Sequence, residues 1–153
     1  MNTLCNKTDY DQIVHRVHKL TADTKPQWGK MTVNEMFCHV ADPFRDLLGM
    51  RETKMVVPFF IRPLAKKLLL SKRPFGKSAP TLKIYLQGSK GGGTKPTGFD
   101  NDKKLLLDLV KKLSSTDASF QFHPHPGVGK LTRDENGWFM WKHLDHHLKQ
   151  FGV

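Results

Sequence analysis

Acidic residues and cysteines are both scarce in this 153-residue chain. Fourteen Asp and Glu stand against 25 Lys and Arg, giving a formal net charge of +11. That balance favours nucleic acid, anionic lipid or an acidic small substrate over cationic partners. The lysines are spread through nearly every segment, however, which is the pattern of a solvated basic surface. Cys5 and Cys38 are the only two cysteines, so a disulfide framework is excluded and a reducing cytoplasm fits best. No run of 18 apolar residues occurs, which excludes a membrane-spanning helix, and the first residues lack the apolar stretch of a signal peptide. Extended segments are scarce as well. Thr81 to Leu86 alternates like a strand, but only Phe120-Gln121-Phe122 resembles a partner, so at most a small two-stranded element is expected.

What remains is helical pattern. With 38% hydrophobic and 25% charged residues, the chain reads as one globular domain spanning 1–153. Tyr10, Ile13, Val14, Val17 and Leu20 form the stripe of an amphipathic helix over about 9–21. Thr32-Val33-Asn34-Glu35 is a capping box that opens a second helix, whose apolar face runs from Val33 to Leu48 and which stops at Gly49. Pro43 lies inside it and predicts a kink near His39. A third helix is expected from Asp100 as N-cap to Leu113, and a second capping box, Thr132 to Glu135, launches a fourth.

Residues 51–98 are irregular. Val56 to Lys72 is apolar and basic together and contains a short helix from Leu64 to Ser71. It reads as a lid, as a membrane-surface helix, or as a packed excursion with its lysines in solvent; the packed excursion is preferred. Gly88 to Lys95 resembles a phosphate loop, but Thr precedes Lys after Gly93, and Pro96 and Gly98 separate it from the next helix. A flexible surface loop is expected there.

The last helix carries the chemistry. At about 3.6 residues per turn, His143 and His147 lie one turn apart on a face shared with Phe139, Met140, Leu144, Gln150 and Phe151. Lys142, Asp145 and Lys149 fall on the opposite side. Two imidazoles so placed can grip one metal ion, and buried among apolar groups they need a partner. The Glu that follows the first histidine in zincin helices is missing, which argues against a metalloprotease. His39 flanks the apolar stripe of the second helix, with Asp42 and Asp46 along the same edge, where a carboxylate could orient the imidazole or ligate.

His143, His147 and Gln150 match a His-x-x-x-His-x-x-Gln ending, and in this the chain resembles the DinB-like superfamily. Lys25-Pro26-Gln27-Trp28-Gly29-Lys30-Met31-Thr32, the following Met36-Phe37-Cys38-His39, and the run from His123-Pro124 to Gly129-Lys130-Leu131-Thr132 are similar to a bacterial branch of it. The resemblance implies an all-α four-helix bundle in up-down-down-up order, with residues 51–98 as a long crossover between helices two and three. It also implies a three-histidine metal site of His39, His143 and His147; helical spacing sets Asp42 one turn from His39 and Gln150 one turn beyond His147, beside that site, with His146 facing elsewhere. His123 and His125 are reserve ligands.

Three imidazoles leave coordination positions open, as in catalytic sites. Zinc is the first choice of metal, with Ni, Fe or Mn compatible with nitrogen ligands. Characterised relatives include S-transferases that use low-molecular-weight thiols such as bacillithiol or mycothiol. By that resemblance the metal would activate a thiol toward an electrophilic small molecule, and the basic surface would attract an anionic one. No general base stands out, Asp42 being the first to test. A homodimer is implied by analogy alone. The rival is a non-catalytic, metal-stabilised helical module that binds nucleic acid or a protein; neither a helix-turn-helix nor an aromatic-basic platform is present, so nucleic acid is disfavoured.

Overall fold

Thr32 and Thr132 start the two helices that frame the site by the same device. Each threonine hydroxyl accepts from the amide three residues on, at 3.2 Å, while Glu35 or Glu135 accepts from the threonine's own amide at 2.8 Å. Both capping boxes are therefore closed. A computed structural model describes residues 2–77 and 79–153. Among these the chain is all-α: α1 (Lys7–His18), α2 (Val33–Leu47), α3 (Arg62–Leu69), a 3₁₀ turn at Lys83–Tyr85, α4 (Phe99–Ser114) and α5 (Arg133–Gln150).

Helix α2 packs on α4 and α5, and α1 packs on the same two helices. The shared core is built from Ile13 and Val17 of α1, Phe37 and Phe44 of α2, Leu106 and Leu113 of α4, and Met140 and Leu144 of α5, each fully buried. At about 1.5–3 kcal/mol per large apolar side chain, this core supplies the main driving force for folding. Gly49, at φ 71, ends α2 in the left-handed region, as the sequence predicts.

Three local expectations fail, each for a visible reason. Asp100 is exposed and does not cap α4. Asp102 reaches back instead, accepting from the amides of Thr97 and Gly98 and from the Thr97 hydroxyl. Thr81 to Leu86 forms no strand, and the single β-bridge among the described residues joins His125 and Gly129. The glycine-rich loop takes the place of a partner strand: the Gly92 amide donates to the Lys83 carbonyl at 2.9 Å, and that of Gly93 to Leu86 at 3.1 Å. A side chain at Gly91 would overlap the Leu86 carbonyl. The loop is therefore closely packed rather than free, and its glycines permit backbone approach.

Lys142 also departs from its expected solvent-facing side. It is buried, and its ammonium donates to the carbonyls of Leu69 at 3.1 Å and Ser71 at 2.8 Å. There it meets the negative end of α3. Trp138 donates to the Leu70 carbonyl at 3.0 Å, and Lys66 pairs with Glu135 at 2.8 Å. The excursion between α2 and α4 is thus strapped over α5. Its other anchor is polar: Arg51 bridges Asp46 at 2.6 Å and Asp42 at 3.2 Å, the Tyr85 hydroxyl donates to Asp46 at 2.6 Å, and Thr94 donates to Asp42 through hydroxyl and amide.

Candidate metal centre

His143 and His147 face inward from α5, and His39 meets them from α2. The Nε2 atom of His143 lies 3.2 Å from that of His39 and 3.1 Å from that of His147. All three side chains can offer a ligand atom within 4.8 Å of the others, so the buried trio could hold a metal ion. Metal–nitrogen bonds of about 2.0–2.1 Å span such separations.

Hydrogen bonds on the far side of two rings decide which nitrogens are available. His39 Nδ1 lies 2.9 Å from the Tyr85 carbonyl, which can only accept. The proton of neutral His39 therefore sits on Nδ1, and its Nε2 lone pair points at the trio. Gln150 performs the same service for His147. Its amide nitrogen donates to the Trp28 carbonyl at 2.8 Å, which turns Oε1 toward His147 Nδ1, also at 2.8 Å. Gly29 makes room for this arrangement, since a Cβ there would come within 2.6 Å of the Gln150 amide nitrogen. His143 differs: its Nδ1 is buried with no partner among the described residues, and the Phe139 ring stacks on it at 5.8 Å.

Burial keeps the cluster neutral. Desolvation, followed by the charges of His39 and His146, lowers His147 to about 3 despite its bond to Gln150. Desolvation also pulls His143 well down, with its neighbouring histidines adding to the effect, and lowers His39 against the opposing pull of the Tyr85 carbonyl and Asp42. At neutral pH every imidazole of the trio can present a lone pair without first losing a proton.

The other sequence candidates fall into distinct places. Asp42 is fully buried but bonds to Thr94 and Arg51; the acceptor on His39 is the Tyr85 carbonyl. His123 is exposed at the opposite end of α2, where its amide donates to the Leu47 carbonyl. His125 is buried in the wall of the site but outside the trio. It packs edge-on against Phe139 at 5.2 Å and accepts at Nδ1 from the Gly127 amide, so its remaining proton is on Nε2. His146 stays out of the trio, as expected, yet lines the same cavity between Phe75 and Trp28. Cys38 adjoins His39 in sequence but not in role, because burial pushes its thiol up to about 12.

The trio lies in the wall of a cavity of about 500 Å³. Leu69, Phe75, Leu82 and Leu86 of the excursion form much of its apolar lining, and Lys30 and Lys77 add positive charge. Tyr85 and the excursion are what sequence reasoning missed. No periodicity marks a backbone carbonyl as the partner of a histidine 46 residues away.

A family model described as "Protein of unknown function (DUF1569)" matches residues 4–152. The chain belongs to the DUF1569 family. The matched span includes every helix of the fold and all three histidines. No curated protein and no solved structure matches the chain.

Two predictions test the arrangement. Gln150→Leu removes the acceptor that fixes His147 and is expected to weaken zinc binding about 10–100-fold, measured by competition with a chelating dye; unchanged affinity would separate Gln150 from the site. The second concerns acid. Folded His125, lowered to about 4 by burial, and folded His147, at about 3, both bind protons less readily than the unfolded chain, whose histidines titrate near about 6.5. Their contribution to stability is complete above that value and is lost progressively as the pH falls from there toward the folded values. The metal-free protein should be on the order of 2–3 kcal/mol less stable at pH 5.5 than at pH 7.5 by urea unfolding. A flat profile would mean that these rings are not buried neutral.

Proposed function

We propose that His39, His143 and His147 hold a catalytic divalent metal and that the protein is a DinB-like enzyme transferring a low-molecular-weight thiol to an electrophilic small molecule. The convergence of three Nε2 atoms at the wall of a large cavity carries the reading. Three protein nitrogens leave positions for water or substrate, whereas a structural site would be closed by a fourth ligand. Zinc suits three neutral imidazoles, with Ni, Fe or Mn as alternatives. The four core helices and the long excursion between α2 and α4 support the up-down-down-up bundle of that superfamily.

When bound, the metal supplies Lewis acidity that favours the anionic form of a thiol or water. The chain's own residues do the rest. Tyr85 and Gln150 fix the rings, Phe75 and Phe139 keep water from the apolar side, and Lys30 and Lys77 attract an anionic group on the substrate. His125, with a proton on Nε2, can donate to a substrate oxygen. In the transfer a carbon–sulfur bond forms as the carbon–leaving-group bond breaks, and the thiol proton passes to solvent.

Protein purified without an affinity tag should carry or readily take up about one metal ion per chain, and a His143→Ala/His147→Ala variant should not. Less than about 0.2 metal per chain after mild reconstitution would sink the site. Metal-dependent consumption of a thiol with an aryl halide, absent from the double variant, would support the transferase. Metal binding with no such reaction on any thiol tried would favour the non-catalytic module.

A further inference from the structure

Between Glu52 and Asp100 the chain has no acidic residue, but it has ten Lys and Arg. Nearly all of the +11 net charge therefore resides in the excursion, although lysines occur everywhere. Among the described residues only Lys66 of these ten makes an ion pair, with Glu135. The same segment carries most of the large apolar side chains left in solvent. Phe59 is 76% exposed, Phe60 70%, Leu64 61% and Leu68 64%.

The two features share one surface. Leu64 and Leu68 lie one turn apart on α3, and Ile61, which caps the helix, is on the same face. Ala65 and Leu69, about a quarter turn round α3 from that face, pack against the core. The two phenylalanines immediately before the helix pack edge to face at 5.7 Å, extending the apolar stripe. Lys54, Lys67, Lys72 and Arg73 of the same segment are exposed as well. A solvated lysine surface has no use for this apolar stripe, and a contiguous apolar patch on a monomer marks an interaction site.

We propose that residues 53–73 dock the protein on an anionic membrane surface, with Phe59, Phe60, Ile61, Leu64 and Leu68 entering the headgroup–acyl boundary and the surrounding cations meeting lipid phosphates and carboxylates. Charge selects this occupant. A second copy would set one acid-free basic segment against another, and a nucleic acid would leave five apolar side chains against phosphates. An anionic bilayer satisfies both halves of the surface. No helix among the described residues is long and apolar enough to cross a membrane, so the attachment is peripheral. The docking segment continues into Leu69, Phe75 and Leu82 of the cavity wall, which sets the cavity beside the bilayer. The surface stands whether or not the histidines hold a metal.

The test is co-sedimentation of the full chain with vesicles of phosphatidylcholine, with and without about 30% phosphatidylserine. Binding to the anionic vesicles is expected to exceed binding to neutral ones at least about ten-fold and to fall with added salt. Phe59→Ser/Phe60→Ser and Leu64→Gln/Leu68→Gln, all at exposed positions, should each reduce it at least about ten-fold. Their melting temperature and metal content should match the parent, which separates this surface from the metal site. Three results would overturn the proposal: no binding to anionic vesicles, binding unaffected by the apolar substitutions, or a parent dimer by sedimentation equilibrium that the Phe59/Phe60 variant dissociates.

Discussion

Replacing His143 by leucine is expected to abolish zinc-induced stabilisation while leaving the metal-free fold as stable as the parent, or more stable. The two halves of this result have separate causes. His143 Nε2 lies between those of His39 and His147, so its loss leaves two nitrogens and lowers affinity on the order of 10³-fold. At a zinc concentration about 1,000 times the parent's dissociation constant, the parent gains about 4 kcal/mol, and the variant should gain about 1 kcal/mol or less. The metal-free half follows from the orphaned Nδ1. A buried polar atom without a partner costs about 1–3 kcal/mol, and leucine removes it while keeping an apolar contact for Phe139, which offsets the loss of the His143 Nε2 contacts with His39 and His147. Thermal melts of both proteins with and without zinc measure the two halves together. His146→Leu is the control, because His146 lines the cavity without joining the trio and should leave the zinc response intact. If His143 were an ordinary core histidine, the outcome would reverse: a less stable variant with an unchanged response to zinc.

The contrast between His143 and His39 explains what could be read in advance. His143 and His147 belong to one helix, so a count of residues per turn places both on the buried face without any tertiary knowledge. The capping boxes at Thr32 and Thr132 were legible for the same reason, since both partners lie within one turn. Failures came where a partner lay far along the chain. Asp42 looks in sequence like the natural companion of His39, one turn on, but Thr94 and Arg51 occupy its oxygens. Alternation at Thr81 to Leu86 resembled a strand because periodicity cannot say whether a partner strand exists, and here glycine amides take the carbonyls. Lys142 illustrates the same limit. Its helical position pointed away from the core, but the excursion covers that side of α5 and turns a solvent-facing lysine into a buried cap for α3.

Arg51→Met should cost the fold about 3–5 kcal/mol in urea unfolding, the largest loss expected from any single change outside the hydrophobic core. Asp42 and Asp46 are essentially inaccessible to solvent, and Arg51 is the cation that contacts both, at 3.2 and 2.6 Å. Arg45 approaches only Asp42, at 3.8 Å, so it cannot take over. Removing the guanidinium leaves two buried carboxylates with only the Tyr85 and Thr94 hydrogen bonds and the distant Arg45, and the penalty follows from that desolvation rather than from the worth of the ion pair itself. A second change, Asp46→Asn, should recover part of the loss, because it deletes one of the stranded charges. The effect should also reach the histidine trio. Arg51 lies over the Tyr85 ring at 5.4 Å and shares Asp46 with the Tyr85 hydroxyl, while the carbonyl of that same residue orients His39. Loosening Tyr85 is therefore expected to weaken zinc binding about tenfold under conditions where the variant remains folded. Lost stability with unaltered zinc affinity would show that the anchor holds the excursion but does not position His39.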